Sequence, residues 1–241
     1  MKRYFFIGDT HNDLAFAARA IERARKYGAE VVQLGDFGFL WPGNDRLQEL
    51  SDLLTRFDVT MRAIDGNHDD HPRLRAYVKA CTATPIAPNV IYQPRGSVHE
   101  DEDGTRFLFC GGAPSIDRAF RIAGKSWWPE EVIMREEFEC ALSATGPIHV
   151  LVTHDAPGFP PGFSPKGTPD YQRAQEESMR MVDALITRHR PMLHIHGHWH
   201  WNYQRQHDNG TRIVGLDCNN ARFEDAVLLW SRPSASVDGM S

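Results

Sequence analysis

The sequence predicts an α/β fold, and two patterns carry the prediction. Strand-like and helix-like segments alternate with short connections through the first 80 residues, and the alternation returns in the last third of the chain. Short apolar runs in both regions end in Gly followed by Asp, Asn or His, or in Thr-His-Asp. Parallel strands joined by helices bring their carboxyl ends to one edge, so such clusters meet in space although they lie far apart in sequence.

Arg3 to Ile7 is the first apolar run and ends at Gly8-Asp9. Leu14 to Tyr27 has helical spacing, with Leu14, Ala17, Ala18, Ile21 and Ala24 on one face and Asn12 or Asp13 placed to cap its start. Glu30 to Leu34 is the second strand and ends at Gly35-Asp36; residues 45 to 56 read as helix. Val59 to Ile64 is the third strand and ends at Gly66-Asn67-His68. The middle changes character. Val90 to Tyr92, Gly96 to His99 and Arg106 to Cys110 read as short strands, with Asp101-Glu102-Asp103-Gly104 as a hairpin turn. Pro129 to Leu142 reads as one helix with Pro129 in its first turn.

In the last third, Ile148 to Val152 is a strand ending at Thr153-His154-Asp155. Residues 156 to 169, rich in Gly and Pro, form a loop long enough to suggest a function. Tyr171 to Arg188 is a helix, and Met192 to Ile195 a strand leading to Gly197-His198-Trp199-His200. Trp201 to Gln206 and Thr211 to Val214 pair around Asp208-Asn209-Gly210, and Ala226 to Trp230 is the last strand. No repeat or linker divides the chain, so residues 1–231 read as one domain and 232–241 as a flexible tail.

Composition bounds the function. A net charge of -5 without a basic stripe argues against holding extended nucleic acid, though not against a small nucleotide. No apolar stretch approaches the roughly 18 residues of a membrane span. Tyr4-Phe5-Phe6-Ile7 is too short for a signal peptide, so a cytoplasmic location is expected. Cys81, Cys110, Cys140 and Cys218 are widely spaced and read as reduced thiols. Twelve histidines, clustered beside Asp, Gly and Asn, point to metal chemistry.

Five strand ends carry metal-ligand types: Asp9 with His11, Asp36, Asn67 with His68, His154, and His198 with His200. Asp and His suit Zn, Mn, Fe and similar divalent ions. Seven ligands drawn from these eight residues are too many for one tetrahedral ion and fit two ions sharing a carboxylate. Such a pair, ~3.5–4 Å apart, is the usual clamp for phosphoryl displacement. Gly8, Gly35, Gly66 and Gly197 each precede a ligand and read as the residues whose free backbone turns it off the strand end.

In order and spacing, these residues resemble the calcineurin-like metallophosphoesterase family, with its pattern D-x-H, G-D-x-x-D, G-N-H-[DE], a lone His, and G-H-x-H. The chain reads Asp9-Thr10-His11, Gly35-Asp36-Phe37-Gly38, Gly66-Asn67-His68-Asp69, His154, and Gly197-His198-Trp199-His200. The resemblance implies a two-sheet αββα sandwich with helices outside, and two divalent ions of Mn, Fe, Zn, Ni or Co. It implies Asp9, His11 and His200 on one ion, Asn67, His154 and His198 on the other, and Asp36 between them. It places His68 on the phosphate or the leaving oxygen, and Asp69 can then fix the ring of His68. One departure stands out: where the family often carries a second Asp and then Arg, this chain has Phe39 and Leu40.

The stretch from Gly111 through Arg118 and Arg121 to Trp127-Trp128-Pro129-Glu130 resembles a segment of bacterial and phage members of the family. Arg suits bidentate phosphate contacts and Trp can stack on a base, so Arg118, Arg121 and Trp127 are expected to bind substrate. His71, His99, His149, His189 and His207 read as ordinary surface or core residues. His194 and His196 read as strand residues or supports behind the ligands. Asp13, Asp65 and Asp155 read as caps or turns. The expected substrate is a small phosphodiester such as a cyclic nucleotide, or a range of phosphoesters; a protein phosphatase or nuclease of the same family is the alternative. A non-catalytic scaffold should have lost ligands, and a metallopeptidase should carry H-E-x-x-H, which is absent.

Overall fold

The first strand, β1 (Arg3–Ile7), sends successive side chains to opposite faces. Tyr4 and Phe6 enter one buried cluster, Phe5 and Ile7 another. A strand apolar on both faces must be covered on both sides, and the rest of the chain supplies the two covers. In the computed structural model, which describes residues 2–78 and 81–233, the order continues as α1 (Leu14–Tyr27), β2 (Ala29–Gln33), α2 (Leu47–Phe57), β3 (Met61–Ala63), α3 (His71–Tyr77), β4 (Thr84–Ala87) and β5 (Val90–Tyr92). The second half runs β6 (Val98–Glu100), β7 (Arg106–Cys110), α4 (Arg135–Leu142), β8 (Val150–Thr153), α5 (Pro169–His189), β9 (Leu193–His196), β10 (Tyr203–Gln206), β11 (Arg212–Gly215) and β12 (Val227–Ser231).

These strands form two six-stranded sheets of the same plan, β12-β1-β2-β3-β5-β4 and β10-β11-β9-β8-β7-β6. In each, four central strands run parallel and the two edge strands run antiparallel. Between the sheets, Tyr4, Phe6, Val32 and Leu34 meet Phe107, Phe109, Val152, Ile195 and Val214. Outside the first sheet, Phe5, Ile7, Val31 and Met61 pack under Ala17 and Ile21 of α1 and Leu50 and Leu54 of α2. Outside the second, Leu108, Leu151 and Ile213 pack against Ala141 of α4 and Val182 and Ile186 of α5. Burying each such large side chain stabilises by roughly 1.5–3 kcal/mol. The expected αββα sandwich is the fold.

Local sequence explains most boundaries. Asp13, not Asn12, caps α1 by accepting the Phe16 N–H at 2.9 Å, and Gly28 ends the helix in the left-handed conformation. The helix expected over Pro129 to Leu142 is broken into a 3-10 turn at Pro129–Glu131 and α4. The cause is Arg95: its guanidinium takes the carbonyls of Glu130 at 2.9 Å and Glu131 at 3.2 Å, which a continuous helix would need. The short α3 was not expected from sequence; Asp70 caps it and Pro72 occupies its first turn. Cys81 and Cys140, expected reduced, form a disulfide across 59 residues, while Cys110 and Cys218 are free and buried. Phe39 and Leu40, the departures from the family pattern, are buried in the cluster outside the first sheet. From residue 234 on, the expected tail lies outside the described residues. No helix among the described residues is long and apolar enough to cross a membrane.

Candidate metal centre

The five clusters do converge, at the carboxyl ends of β1, β2 and β3 in one sheet and β8 and β9 in the other. Their loops are tight. His11, Asp36, His198 and His200 all hold positive φ, between 43° and 65°. Such a conformation is costly for a residue with a Cβ, by about 1 kcal/mol or more, and persists only where surroundings impose it. The sequence assigned that freedom to the preceding glycines, but of Gly8, Gly35, Gly66 and Gly197 only Gly35 has positive φ. Room is what the other glycines provide. A Cβ on Gly197 would lie 2.1 Å from Asp9 Oδ1, and one on Gly66 would lie 2.2 Å from Asp36 Oδ1.

Asp36 is the hinge of the geometry. Its Oδ2 lies 3.3 Å from His11 Nε2, and its Oδ1 lies 3.3 Å from His154 Nε2. On the first side, donor atoms of Asp9, His11, Asp36 and His200 all fall within 4.8 Å of one another, with Asp9 Oδ2 2.9 Å from His200 Nε2. On the second side, Asn67 Oδ1 lies 3.2 Å from His154 Nε2, and the His198 ring centroid is 5.0 Å from that of His154. Asp36 thus faces side chains on both sides, the group of Asp9, His11 and His200 on one and His154 beside Asn67 on the other.

Neighbouring groups set the tautomers. His154 Nδ1 donates to the Leu34 carbonyl at 2.7 Å, and His11 Nδ1 donates to Asn219 Oδ1 at 3.0 Å. Each ring thus turns Nε2 towards Asp36. Around His154 Nε2 the other facing atoms, Asp36 Oδ1 and Asn67 Oδ1, have only lone pairs. Lone pairs converging in a buried space require a positive charge among them. A proton can supply it: burial disfavours the charged ring, but Asp36 pushes His154 up to about 10. A divalent cation can supply it better, because it satisfies all three donors at once. Asp36 shows the same balance: burial would raise its carboxyl, yet His154, His68 and His11 hold it well below the usual carboxylate range.

The supports behind these ligands were largely missed by sequence reasoning. Asn67 is oriented by Ser115, whose Oγ accepts its Nδ2 at 3.1 Å and donates to Glu131 at 2.6 Å. Asn219 bridges His11 to Asp13 at 3.2 Å, so the helix cap also serves the site. Asp155, expected as a turn residue, is fully buried and ties together Gln175, Ser178 and the Trp199 indole at 2.7, 2.6 and 2.9 Å. Adjacency to His154 is the one sequence signal that pointed to it. His194 and His196 turn away, to Thr153 and Tyr203.

Asp69 does not contact the His68 ring as expected. Its carboxylate accepts the N–H groups of Phe37, Gly38 and Gly66 at 3.1, 2.7 and 2.7 Å, and so fixes two ligand loops together. Burial and the neighbouring Asp36 push this carboxyl up to about 7 against those donors. The His68 ring meets Arg121 instead, whose Nη2 lies 2.6 Å from Nδ1 and also contacts Nε2. Burial, with the charge of Arg121, holds this imidazole below its ordinary value although Asp36 opposes the shift.

A cavity of about 420 Å³ opens over the centre, with Asp36, Asn67, His68, His198 and His200 in its floor. Arg118, Arg121 and Trp127, all expected to bind substrate, are not among its lining residues; Arg121 is ion-paired to Asp117 at 2.9 Å. The Arg118 guanidinium instead covers the Trp127 ring at 4.0 Å. The wall comes from the Gly- and Pro-rich loop, through Phe159, Phe163, Ser164 and Lys166, from Tyr171 and Trp199, and from Ile116 and Asp117 of the segment expected there.

A family model described as calcineurin-like phosphoesterase matches residues 2–202. No curated protein matches the sequence significantly. Among solved structures, the chain is similar to TT1561 of Thermus thermophilus, at 15% identity and TM-score 0.56, over 90% of this chain and 89% of that one. It is similar to a dimetal phosphatase from Danio rerio, at 12% identity and TM-score 0.52, over 95% and 91% of the two chains. It is also similar to GAP50, described as the anchor in the inner membrane complex of Plasmodium, at 13% identity and TM-score 0.51, over 89% and 70%. At these identities the structural likeness is one of fold.

Proposed function

The chain belongs to the calcineurin-like phosphoesterase family, and from that membership we propose that it hydrolyses small phosphoesters, diesters foremost, at a centre of two divalent cations. The observation that carries the reading is Asp36, whose two oxygens face two separate nitrogen donors at equal distance. Asp9, His11 and His200 would hold one cation, and Asn67, His154 and His198 the other. Asp36 would touch both. The donor set fits Mn, Fe, Zn, Ni or Co. When bound, such a pair supplies an acidified water and neutralises charge on the phosphoryl oxygens.

The chain's own groups account for the remaining work. Arg121, behind His68 and paired with Asp117, would bring a guanidinium to the edge of the floor, a group suited to hold a phosphoryl oxygen. His68, seated between Arg121 and Asp36, is placed to give a hydrogen bond or proton to the leaving oxygen. Burial and Arg121 lower its pKa in the free protein, and the negative charge of a bound phosphoester would raise it again. The cavity suits a small ester, a cyclic nucleotide being one candidate, rather than a protein segment. Retention of every ligand position favours an enzyme over a non-catalytic scaffold.

The test is metal analysis of the purified protein together with a panel of model mono- and diesters in the presence of Mn, Zn, Ni or Fe. Two equivalents of metal and diester turnover are expected. Asp36→Asn should lose both equivalents, and a variant that keeps both would refute a shared carboxylate.

A further inference from the structure

Beside the polar floor, the cavity has a second surface that the hydrolysis of a phosphate group does not use. Trp199, between the paired histidines of the last motif, has its indole N–H held by Asp155 at 2.9 Å. Its ring meets Phe159 at 5.6 Å and 81°, and Phe163 at 5.3 Å and 84°. Phe163 in turn meets Trp201 at 6.0 Å. Edge-to-face packing locks these rings against one another. Asp155 is locked as well, by Gln175 and Ser178 of α5. The result is a rigid aromatic wall of Phe159, Phe163 and Trp199, all in the cavity lining, with Phe163 still 37% exposed and Trp201 outside that lining. Contiguous apolar surface next to convergent polar groups marks a ligand site. A wall already fixed in place gives up little entropy when it is covered.

We propose that this wall is a subsite for a flat aromatic group on the substrate, so that the enzyme selects phosphoesters carrying an aryl or nucleobase ring over those of small aliphatic alcohols. The proposal rests on the phosphoesterase reading and names its substrate class. Stacking of one ring on such side chains corresponds to an advantage of roughly tenfold or more. Phe163 is the residue to change, because it sits on the loop and not among the metal-site motifs. Phe120 is the control: it is 91% exposed and outside the cavity lining.

The experiment compares kcat/KM for the methyl diesters of 1-naphthyl phosphate and thymidine 5′-phosphate and for dimethyl phosphate, beside the three parent monoesters, in the wild type, Phe163→Ala and Phe120→Ala. Leaving-group reactivity is common to all three proteins, so a change in the aromatic-to-methyl ratio reads the contact. Phe163→Ala is expected to lower that ratio about tenfold, for the naphthyl ester, the thymidine ester or both, which also identifies the ring; Phe120→Ala is expected to keep it. An unchanged ratio in Phe163→Ala, or an equal fall in Phe120→Ala, overturns the subsite. Calorimetry with 1-naphthylphosphonate and methylphosphonate separates the two readings. If no ester turns over with any metal, the phosphoesterase reading fails. Tighter binding of the naphthyl compound that disappears in Phe163→Ala still supports the subsite, and equal binding of the two compounds overturns it.

Discussion

Asn219 Oδ1 lies 3.0 Å from His11 Nδ1, although 208 residues separate them. The contact fixes the imidazole with Nε2 towards Asp36, and Asn219 is itself held by Asp13 at 3.2 Å. A ligand whose far nitrogen is tied in this way reaches a cation without first losing rotational freedom. Asn219→Ala is therefore expected to weaken divalent-metal binding by about 10–100-fold and leave the fold intact. Isothermal titration with Mn or Zn checks this, and an unaltered affinity would show that His11 is held by its own backbone strain alone.

In the proposed reaction His68 would act at the phosphate as the proton carrier and Arg121 as a fixed charge. His68→Ala should keep the metal complement and lower kcat by roughly 10²–10⁴-fold. Arg121→Ala should also keep the metals, with a loss that falls more on KM because it removes a contact to the phosphoryl oxygens. Steady-state kinetics beside metal analysis distinguishes them. Near-normal turnover in His68→Ala would reject its role.

The sequence exposed the candidate ligands because each closes an apolar run, so chain order and strand direction alone bring Asp9, Asp36, Asn67, His154 and His198 to one place. The groups behind them leave no such trace. Asn219 follows the last motif in a loop without periodicity, and Ser115, Glu131 and Arg95 act through contacts that no local spacing encodes. The helix expected from Pro129 failed for the same reason: Arg95, more than 30 residues away in the chain, claims its carbonyls. Trp127 and Trp199 show the limit for substrate residues. Both were visible as aromatics near motifs, but which ring faces the cavity depends on what covers the other, and Arg118 covers Trp127.

Arg95 and Asp65 form a fully buried ion pair, with Arg95 Nε 3.0 Å from Asp65 Oδ2 and Nη1 2.8 Å from Glu137. Tyr92 donates to the same aspartate at 3.0 Å. The network joins the end of the first sheet to α4, under the segment that carries Ser115 and Glu131. Arg95→Met would leave Asp65 charged and unpaired, at an expected cost of roughly 3–5 kcal/mol. Replacing both residues, as Asp65→Asn with Arg95→Met, should recover much of that loss because no buried charge is left. Urea denaturation of the three proteins gives the comparison, and a single-variant cost below about 1 kcal/mol would mean that the site is wetter than its burial indicates.

His71 makes the same network sensitive to acid. It is buried against Trp128, 3.7 Å from Asp65, and its Nε2 has no hydrogen-bond partner among the described residues. Burial lowers its pKa from 6.5 to about 4, with Arg95 and Arg75 pushing in the same direction and Asp65 opposing. Between those two values the unfolded chain binds more protons than the native one, so stability rises with pH through that window and levels off above it. Acidification from pH 7 to 4 should thus remove on the order of 3 kcal/mol through this one ring. His196, also pushed to about 4 by burial, adds to the same window. His71→Phe fills the space without a titrating group, so its unfolding free energy should fall less steeply than that of the wild type over this range. Denaturant curves at pH 4, 5, 6 and 7 measure the two slopes, and equal slopes would place the acid sensitivity elsewhere.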